Sequence, residues 1–191
     1  MRLGVLGGTF DPPHIGHLLA ASDACEALAL DRVAFVPAAV PPFKSRTVQA
    51  TAEQRLRMLE LTIDGDSRFE ASRLELERDG LSFTVDTLAA LADATPGISL
   101  FHLIGEDLAT QIASWREAPR IAELATIVVL ARGDGVAASA LESSLRMTRL
   151  QTRRVDVSST EIRDRVRAGR PIHGFVTDAV ASFIDAAGLY R

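Results

Sequence analysis

Two histidines three residues apart are the first side chains in the sequence whose type and spacing could do chemistry. His14 and His17 lie in the stretch Gly7 to Leu18, which reads GGTFDPPHIGHL. A short apolar run precedes this stretch and apolar residues at helical spacing follow it, which predicts a strand, a glycine turn and a helix. In the opening turn of that helix the imidazoles would share one face, beside free backbone N–H groups at the positive end of the helix dipole. The arrangement predicts an anion-binding site.

Neighbouring residues fit the same interpretation. Asp11 is predicted to cap the helix and Pro12 to occupy its first position, where a missing N–H costs nothing. Gly7 and Gly8 allow a ligand to approach the backbone closely, and Gly16 leaves no side chain between the two histidines. The alternative is a β-to-α turn whose histidines merely lie on a polar face. The combination of features argues against that alternative.

Residues 158–163, which read SSTEIR, form a second candidate anion site. Ser158 can cap a helix whose third residue is Glu161, and Arg163 then projects from the first turn and a half. Residues 146–170 hold eight arginines against three acidic residues. In an acidic protein this excess suggests a polyphosphate ligand, although a good helix start with a solvated basic face would give the same pattern.

One lysine stands among the 21 basic residues of the chain, and the others are arginines. Lys44 lies in a long predicted loop, residues 38–49. Because an ammonium and a guanidinium contact phosphate differently, this exception points to a phosphate contact, with chance as the alternative.

Length, charge and cysteine content set further limits. The 191 residues suit one domain spanning 1–191, with a helical C-terminal part from about residue 158. The formal charge of −4 argues against nucleic-acid binding. Cys25 is the only cysteine, so an internal disulfide is excluded and a cytoplasmic location is expected. The absence of a signal sequence or a long apolar run predicts no membrane partner, and a homo-oligomer is left open.

The order of predicted elements indicates the fold class. Predicted strands after the first are residues 32–37, 69–76, 98–104, 126–130 and 153–157, and the clearest later helices are 51–63, 84–92, 119–124 and 176–189. Strands that alternate with helices predict an α/β fold, a doubly wound parallel sheet with helices on both faces. Ligands bind such sheets at the carboxyl ends of the strands. The two histidines, Lys44, Asp107 and Arg163 each follow a strand, so we expect them at one rim.

Several other phosphate or catalytic sites are excluded by their missing motifs. The turn after the first strand lacks G-x-G-x-x-G, and no G-x-x-x-x-G-K-[ST] occurs, so neither a nicotinamide dehydrogenase nor a P-loop enzyme is expected. One cysteine and four scattered histidines make a structural zinc site improbable. No serine lies in G-x-S-x-G, so the nucleophile turn of an esterase is absent.

The two terminal motifs together resemble a known superfamily. The stretch 7–17 (GGTFDPPHIGH) joined to 158–163 (SSTEIR) is similar to the nucleotidyltransferases, and specifically to the bacterial nicotinate-nucleotide adenylyltransferases. The likeness continues through 41–44 (PPFK), 78–88 (RDGLSFTVDTL) and 104–107 (IGED), and so covers nearly the whole chain. It implies a Rossmann-like nucleotidyltransferase fold. It also implies transfer of AMP from ATP to nicotinate mononucleotide, giving deamido-NAD and pyrophosphate.

The resemblance also implies roles for individual residues. The catalytic set would be His14, His17, Lys44 and Arg163, with His17 contacting the α-phosphoryl group. ATP would be held by the residues Gly8, Thr9, Phe10, Gly16, Gly105, Asp107, Ser158, Ser159 and Thr160. The mononucleotide would be held by Thr84, Trp115 and Arg116, with the indole stacked on the pyridine ring. Mg²⁺ would be carried mainly by the ATP phosphates, without a protein metal site.

Two alternatives stay open, and two positions depart from the family pattern. The chain could be a pantetheine-phosphate or other small-molecule adenylyltransferase of the same superfamily, or a nucleotide-binding module without turnover. Class I aminoacyl-tRNA synthetases share the HIGH motif but need a K-M-S-K-S loop that is missing here. Phe43 replaces the family's usual histidine, and Phe83 replaces its usual tyrosine.

Overall fold

The sheet is the element that positions the site. The structure is a computed structural model that describes residues 1–40, 48–78, 80–132, 145 and 147–191. Within them six parallel strands form one sheet in the order β3-β2-β1-β4-β5-β6. The strands are β1 (Arg2–Gly8), β2 (Arg32–Pro37), β3 (Phe69–Ala71), β4 (Ser99–Gly105), β5 (Ala125–Arg132) and β6 (Met147–Thr152). The predicted doubly wound fold is confirmed.

Helices connect the strands and cover both faces of the sheet. They are α1 (Ile15–Ala27), α2 (Ala52–Ile63), α3 (Thr84–Ala94), α4 (Glu106–Ala109), α5 (Ala118–Leu124), α6 (Ser159–Arg167) and α7 (Asp178–Ala186), with a 3-10 turn at Ile112–Ser114. Within the described ranges, no helix is both long enough and apolar enough to cross a membrane.

Two apolar cores flank the sheet because successive strand residues point to opposite faces. One core packs the sheet against α3 and α5, through residues such as Leu88 and Ile121. The other packs it against α1 and α2, through residues such as Ala24 and Leu59. Strands buried on both sides explain the nearly continuous apolar runs in the sequence.

A third core attaches the C-terminal part to the rest of the molecule. Met58 of α2 packs there with Ile162 of α6, Ile184 of α7 and Tyr190. This packing holds the start of α6 beside the rim formed by the carboxyl ends of the strands.

The predicted start of the first helix is wrong by three residues. Helix α1 begins at Ile15, and His14 rather than Asp11 is its N-cap. Pro12 cannot open the helix because it precedes Pro13, and a residue before proline is disfavoured in the helical region.

Two strand predictions also need correction. Residues 153–157 are not a strand, because the last strand is β6, which pairs with β5 and ends opposite Arg132. The backbone N–H of Arg153 then donates to the Asp23 carboxylate at 2.9 Å. The strand predicted over residues 69–76 ends at Ala71, where the chain turns and the N–H of Leu76 donates to the Arg73 carbonyl.

Candidate active site

His14 and His17 lie in the first turn of α1, directly after the central strand β1. The backbone N–H of His14 donates to Nδ1 of His17 at 3.2 Å, and the two rings stack with centroids 3.7 Å apart. Because Nδ1 accepts this bond, the neutral His17 ring carries its proton on Nε2. The helix start therefore fixes both the orientation of His17 and the nitrogen from which it can donate.

Two glycines make room for the rings of this turn. Phe10 is buried and lies edge-on to His17, with ring centroids 5.0 Å apart. A Cβ on Gly8 would lie 3.0 Å from the Phe10 ring, and a Cβ on Gly16 would lie 3.0 Å from Nδ1 of His14. Gly16 is therefore needed to leave space for one histidine, as its position between the two suggested.

The start of α6 is held directly against the turn that follows β1. Arg163 donates from one terminal nitrogen to the Asp11 carbonyl at 2.7 Å, and from the other to the Thr160 hydroxyl at 3.1 Å. The Ser159 hydroxyl donates to the Pro12 carbonyl at 2.8 Å. The structure thus brings the two predicted anion sites together.

The hydroxyl groups at the start of α6 have separate structural partners. Ser158 caps the helix as predicted, since its Oγ accepts from the Glu161 N–H at 3.1 Å. The hydroxyl proton of Ser159 is used on Pro12, so that side chain fixes the turn. Ser158 and Thr160 accept in these hydrogen bonds, so their own hydroxyl protons are not used in them.

The Asp11 carboxylate has a different role from the predicted helix cap. Its oxygens accept from the backbone N–H groups of Gln49 and Ala50, at 2.8 and 3.1 Å, and from the Tyr190 hydroxyl at 2.8 Å. Burial and the nearby carboxylate raise the pKa of Tyr190, so its hydroxyl stays protonated and donates. Asp11 thereby joins the glycine turn to the chain before α2 and to the C terminus.

Arg55 completes this support from beneath the turn. It is almost wholly buried and donates to the carbonyls of Thr9 and Ala39, at 2.8 and 3.3 Å. Burial lowers its pKa, and the Asp11 carboxylate opposes that shift. Sequence reasoning missed both Arg55 and Tyr190, because a helical arginine and a penultimate tyrosine carry no local signal.

A pocket of about 300 Å³ opens beside the glycine turn. Gly8 and Thr9 form one side of it, and Trp115 and the start of α3 form another. All three residues predicted to hold the acceptor, Thr84, Trp115 and Arg116, line this pocket.

Arg116 is held at the pocket by its neighbours. Its guanidinium lies 4.8 Å from the centre of the Phe83 ring, and one nitrogen lies 3.7 Å from the Asp86 carboxylate. Thr84 is the first residue of α3, so its backbone N–H lies at the positive end of that helix. Arg116 also lies 3.4 Å from the Glu117 carboxylate, so the positive groups of this wall are the start of α3 and a guanidinium shared by two carboxylates.

Asp107 lies at the carboxyl end of β4, as predicted, and also lines the pocket. A Cβ on Gly105 would lie 2.6 Å from the Asp107 carboxylate, so Gly105 is what allows the acid to fold back over the strand end.

Two buried polar residues of the pocket were not predicted. Glu75 is buried and accepts from the Thr87 hydroxyl at 2.6 Å. His102 is also buried, in the middle of β4. A signal was available for His102, because a histidine interrupts the apolar run LFHLI.

Lys44 lies outside the described residues, as does the rest of 41–47. Among the residues that the structure describes, no group of three or more His, Cys, Asp or Glu side chains could hold a metal ion.

The fold and the paired helix starts define a class of protein. The sequence matches the cytidylyltransferase-like family over residues 5–165. By structure, the chain resembles a Plasmodium falciparum nicotinic acid mononucleotide adenylyltransferase in complex with NaAD, with a TM-score of 0.82 at 18% identity, covering 99% of this chain and 97% of that one. A Vibrio parahaemolyticus chain described as a putative nicotinate-nucleotide adenylyltransferase has a TM-score of 0.69 at 22% identity, covering 100% of this chain and 95% of that one. These likenesses show a nucleotidyltransferase fold.

Sequence relatives identify the family within that class. A Thermus thermophilus protein named a probable nicotinate-nucleotide adenylyltransferase is 46% identical over 191 residues, covering 100% of both chains. A Gemmatimonas aurantiaca protein of the same name is 45% identical over 197 residues, covering 100% of this chain and 93% of its own. The chain belongs to the nicotinate-nucleotide adenylyltransferase family.

Proposed function

We propose that this chain transfers AMP from ATP to the 5′-phosphate of nicotinate mononucleotide, forming deamido-NAD and pyrophosphate in NAD biosynthesis. The observation that carries the proposal is the bond from Arg163 to the Asp11 carbonyl, which holds two anion-binding helix starts together beside the pocket that contains Trp115. Paired helix starts suit a triphosphate, and a pocket with an indole suits an aromatic acceptor. Membership of the family supports the same reaction.

The chemical step needs no general base. An oxygen of the mononucleotide phosphate attacks the α-phosphorus of ATP and forms a new P–O bond. The bond from that phosphorus to the bridging oxygen of the β-phosphate breaks, and its electron pair leaves with pyrophosphate. Because the attacking phosphate is already ionised near pH 7, catalysis rests on in-line positioning and on neutralising developing charge.

His17 is the residue that serves the reacting phosphoryl group. Its Nδ1 is occupied by the backbone of His14, so the N–H at Nε2 is the donor offered to an α-phosphoryl oxygen. His14 stacks on the His17 ring and contacts the neighbouring phosphates of ATP. Arg163 supplies a guanidinium charge from the facing helix, and Lys44 supplies a second cation as the sequence predicts.

The rest of the ATP site is formed by backbone and short side chains. Gly8, Thr9, Phe10 and Gly16 shape the turn along the phosphates, and Gly105 with Asp107 faces the ribose. The start of α6 offers N–H and hydroxyl donors. Such donors and cations suit phosphate oxygens rather than a metal ion, so Mg²⁺ would be carried mainly by the ATP phosphates. A cytoplasmic location stays a prediction.

The acceptor lies in the pocket between α3 and Trp115. The indole stacks on the pyridine ring, and the N–H at the start of α3 near Thr84 receives the ring carboxylate. The positive charge of Arg116 favours this acid over the uncharged amide.

A pyrophosphate-release assay tests the proposal. ATP is supplied with nicotinate mononucleotide, nicotinamide mononucleotide or phosphopantetheine, and the dinucleotide product is identified. We expect turnover with the first acceptor at a higher kcat/KM than with the second. Preference for another acceptor would overturn the assignment of substrate, and no turnover with any acceptor would favour a binding module.

A further inference from the structure

His102 is the pocket residue with an unexplained environment. It lies in the middle of β4, and its side chain is 4% exposed. The ring meets Trp115 edge-on with centroids 5.9 Å apart, and it lines the pocket assigned to the acceptor. Neither Nδ1 nor Nε2 has a hydrogen-bond partner among the described residues.

The strand residues on either side of this imidazole are apolar. Its neighbours along the same face of β4, Leu100 and Ile104, belong to the core beneath α3 and α5. Buried polar groups are normally hydrogen-bonded, because leaving water without a replacement partner is unfavourable. A phenylalanine or leucine would fill the same space without that cost, so packing alone does not account for a histidine here.

The buried histidine is uncharged at neutral pH. Burial lowers the pKa of His102 to about 4, and an interaction with the Val5 backbone that falls outside hydrogen-bond geometry opposes the shift. A neutral imidazole offers one N–H donor and one acceptor nitrogen. The other titratable groups that line the pocket are Glu75, Asp107 and Arg116, and the Glu75 carboxylate already accepts a hydrogen bond from Thr87.

We propose that His102 is a substrate-binding residue whose imidazole N–H donates a hydrogen bond to the carboxylate on the pyridine ring of the mononucleotide. The inference rests on the proposed function, since it uses the same pocket and the same acceptor. A pyridine ring stacked on Trp115 would lie beside His102, because the imidazole and the indole are in edge-on contact. A carboxylate accepts several hydrogen bonds, so this contact adds to those from the start of α3 near Thr84.

A pair of substitutions separates this role from simple packing. His102→Phe keeps a ring of similar size and removes the donor, whereas His102→Gln keeps a donor in an unbranched side chain. We expect His102→Phe to raise KM for nicotinate mononucleotide about tenfold or more, with KM for ATP and kcat within about threefold. His102→Gln should recover most of the loss. Trp115→Ala, which removes the stacking surface, should raise the same KM and serves as the positive control.

Thermal unfolding without substrate gives an independent readout. Because His102→Phe removes a buried polar group that lacks a partner, we expect its Tm to equal or exceed that of the parent chain. The increase in Tm on adding nicotinate mononucleotide should shrink in this variant. If His102→Phe fails to fold, His102→Leu replaces it in both measurements.

The outcomes distinguish this inference from the function on which it rests. One outcome is that the parent protein turns over nicotinate mononucleotide while His102→Phe keeps the parent KM and the ligand-induced Tm shift. That result would overturn the role of His102 alone. If His102→Phe raises KM and also lowers Tm, and His102→Gln recovers neither, the role of His102 is in packing. Parent protein inactive with this acceptor would overturn the proposed function itself.

Discussion

The guanidinium of Arg163 donates to the backbone carbonyl of Asp11 across a distance of 2.7 Å, between residues separated by 152 positions in the sequence. This contact joins the start of α6 to the turn after β1. The two helix starts therefore lie side by side, and we propose that they share the charge of a triphosphate.

Replacement of Arg163 tests this relationship. We expect Arg163→Lys to lower kcat/KM for ATP by roughly tenfold to a hundredfold, because an ammonium cannot hold Asp11 and Thr160 while also contacting a phosphate. Steady-state kinetics with varied ATP measures the effect. Arg167→Lys, on the exposed side of the same helix, is the matched control and should retain the parent kcat/KM. Equal losses in the two variants would contradict the role assigned to Arg163.

Replacement of His17 tests the donor at Nε2. We expect His17→Ala to lower kcat about a hundredfold or more with ATP affinity within a few-fold, as for an interaction made mainly in the transition state. His17→Gln places an amide N–H near the Nε2 position and His17→Asn places one nearer Nδ1, so the glutamine variant should retain more activity. An unchanged kcat in His17→Ala would show that the assignment is wrong.

Replacement of Tyr190 tests how the C terminus supports the glycine turn. Tyr190→Phe removes the hydroxyl that donates to the buried Asp11 carboxylate. We expect the free energy of unfolding to fall by about 1.5 kcal/mol, since hydrogen bonds to charged groups contribute about 1.5–3 kcal/mol. Urea unfolding measures the change. Ser182→Ala, an exposed change in α7, is the control and should have no effect.

The burial of His102 predicts a pH dependence of stability. Its folded pKa is about 4 against an ordinary 6.5, so below pH 6.5 the unfolded chain binds a proton that the folded chain does not. Stability should therefore fall as pH drops from 6.5 towards 4, by about 3 kcal/mol in total from this residue. His102→Phe should remove that part of the slope, as measured by urea unfolding at several pH values. If the free energy of unfolding depends on pH equally in the parent chain and in His102→Phe, the prediction for His102 is wrong.

Much of the fold was predictable because local patterns and global packing agree. The strand over residues 32–37 is predicted at its observed bounds, since strands covered on both faces need continuous apolar runs. The predicted ends of helices and strands were wrong where a neighbouring residue or a tertiary partner set the boundary. Pro13 displaced the start of α1, and the end of β5 set where β6 stops.

The sequence by itself determined the class of fold, the family and the two anion-binding motifs, because each depends on residue types at short spacing. Only the tertiary structure decided what surrounds them. In the folded chain Asp11 accepts hydrogen bonds from Tyr190 and from the chain before α2, Arg55 lies beneath the turn, and His102 is buried in the pocket beside the glycine turn. These relationships join residues far apart in the chain, and such contacts form only when separate elements pack together. No local spacing specifies them.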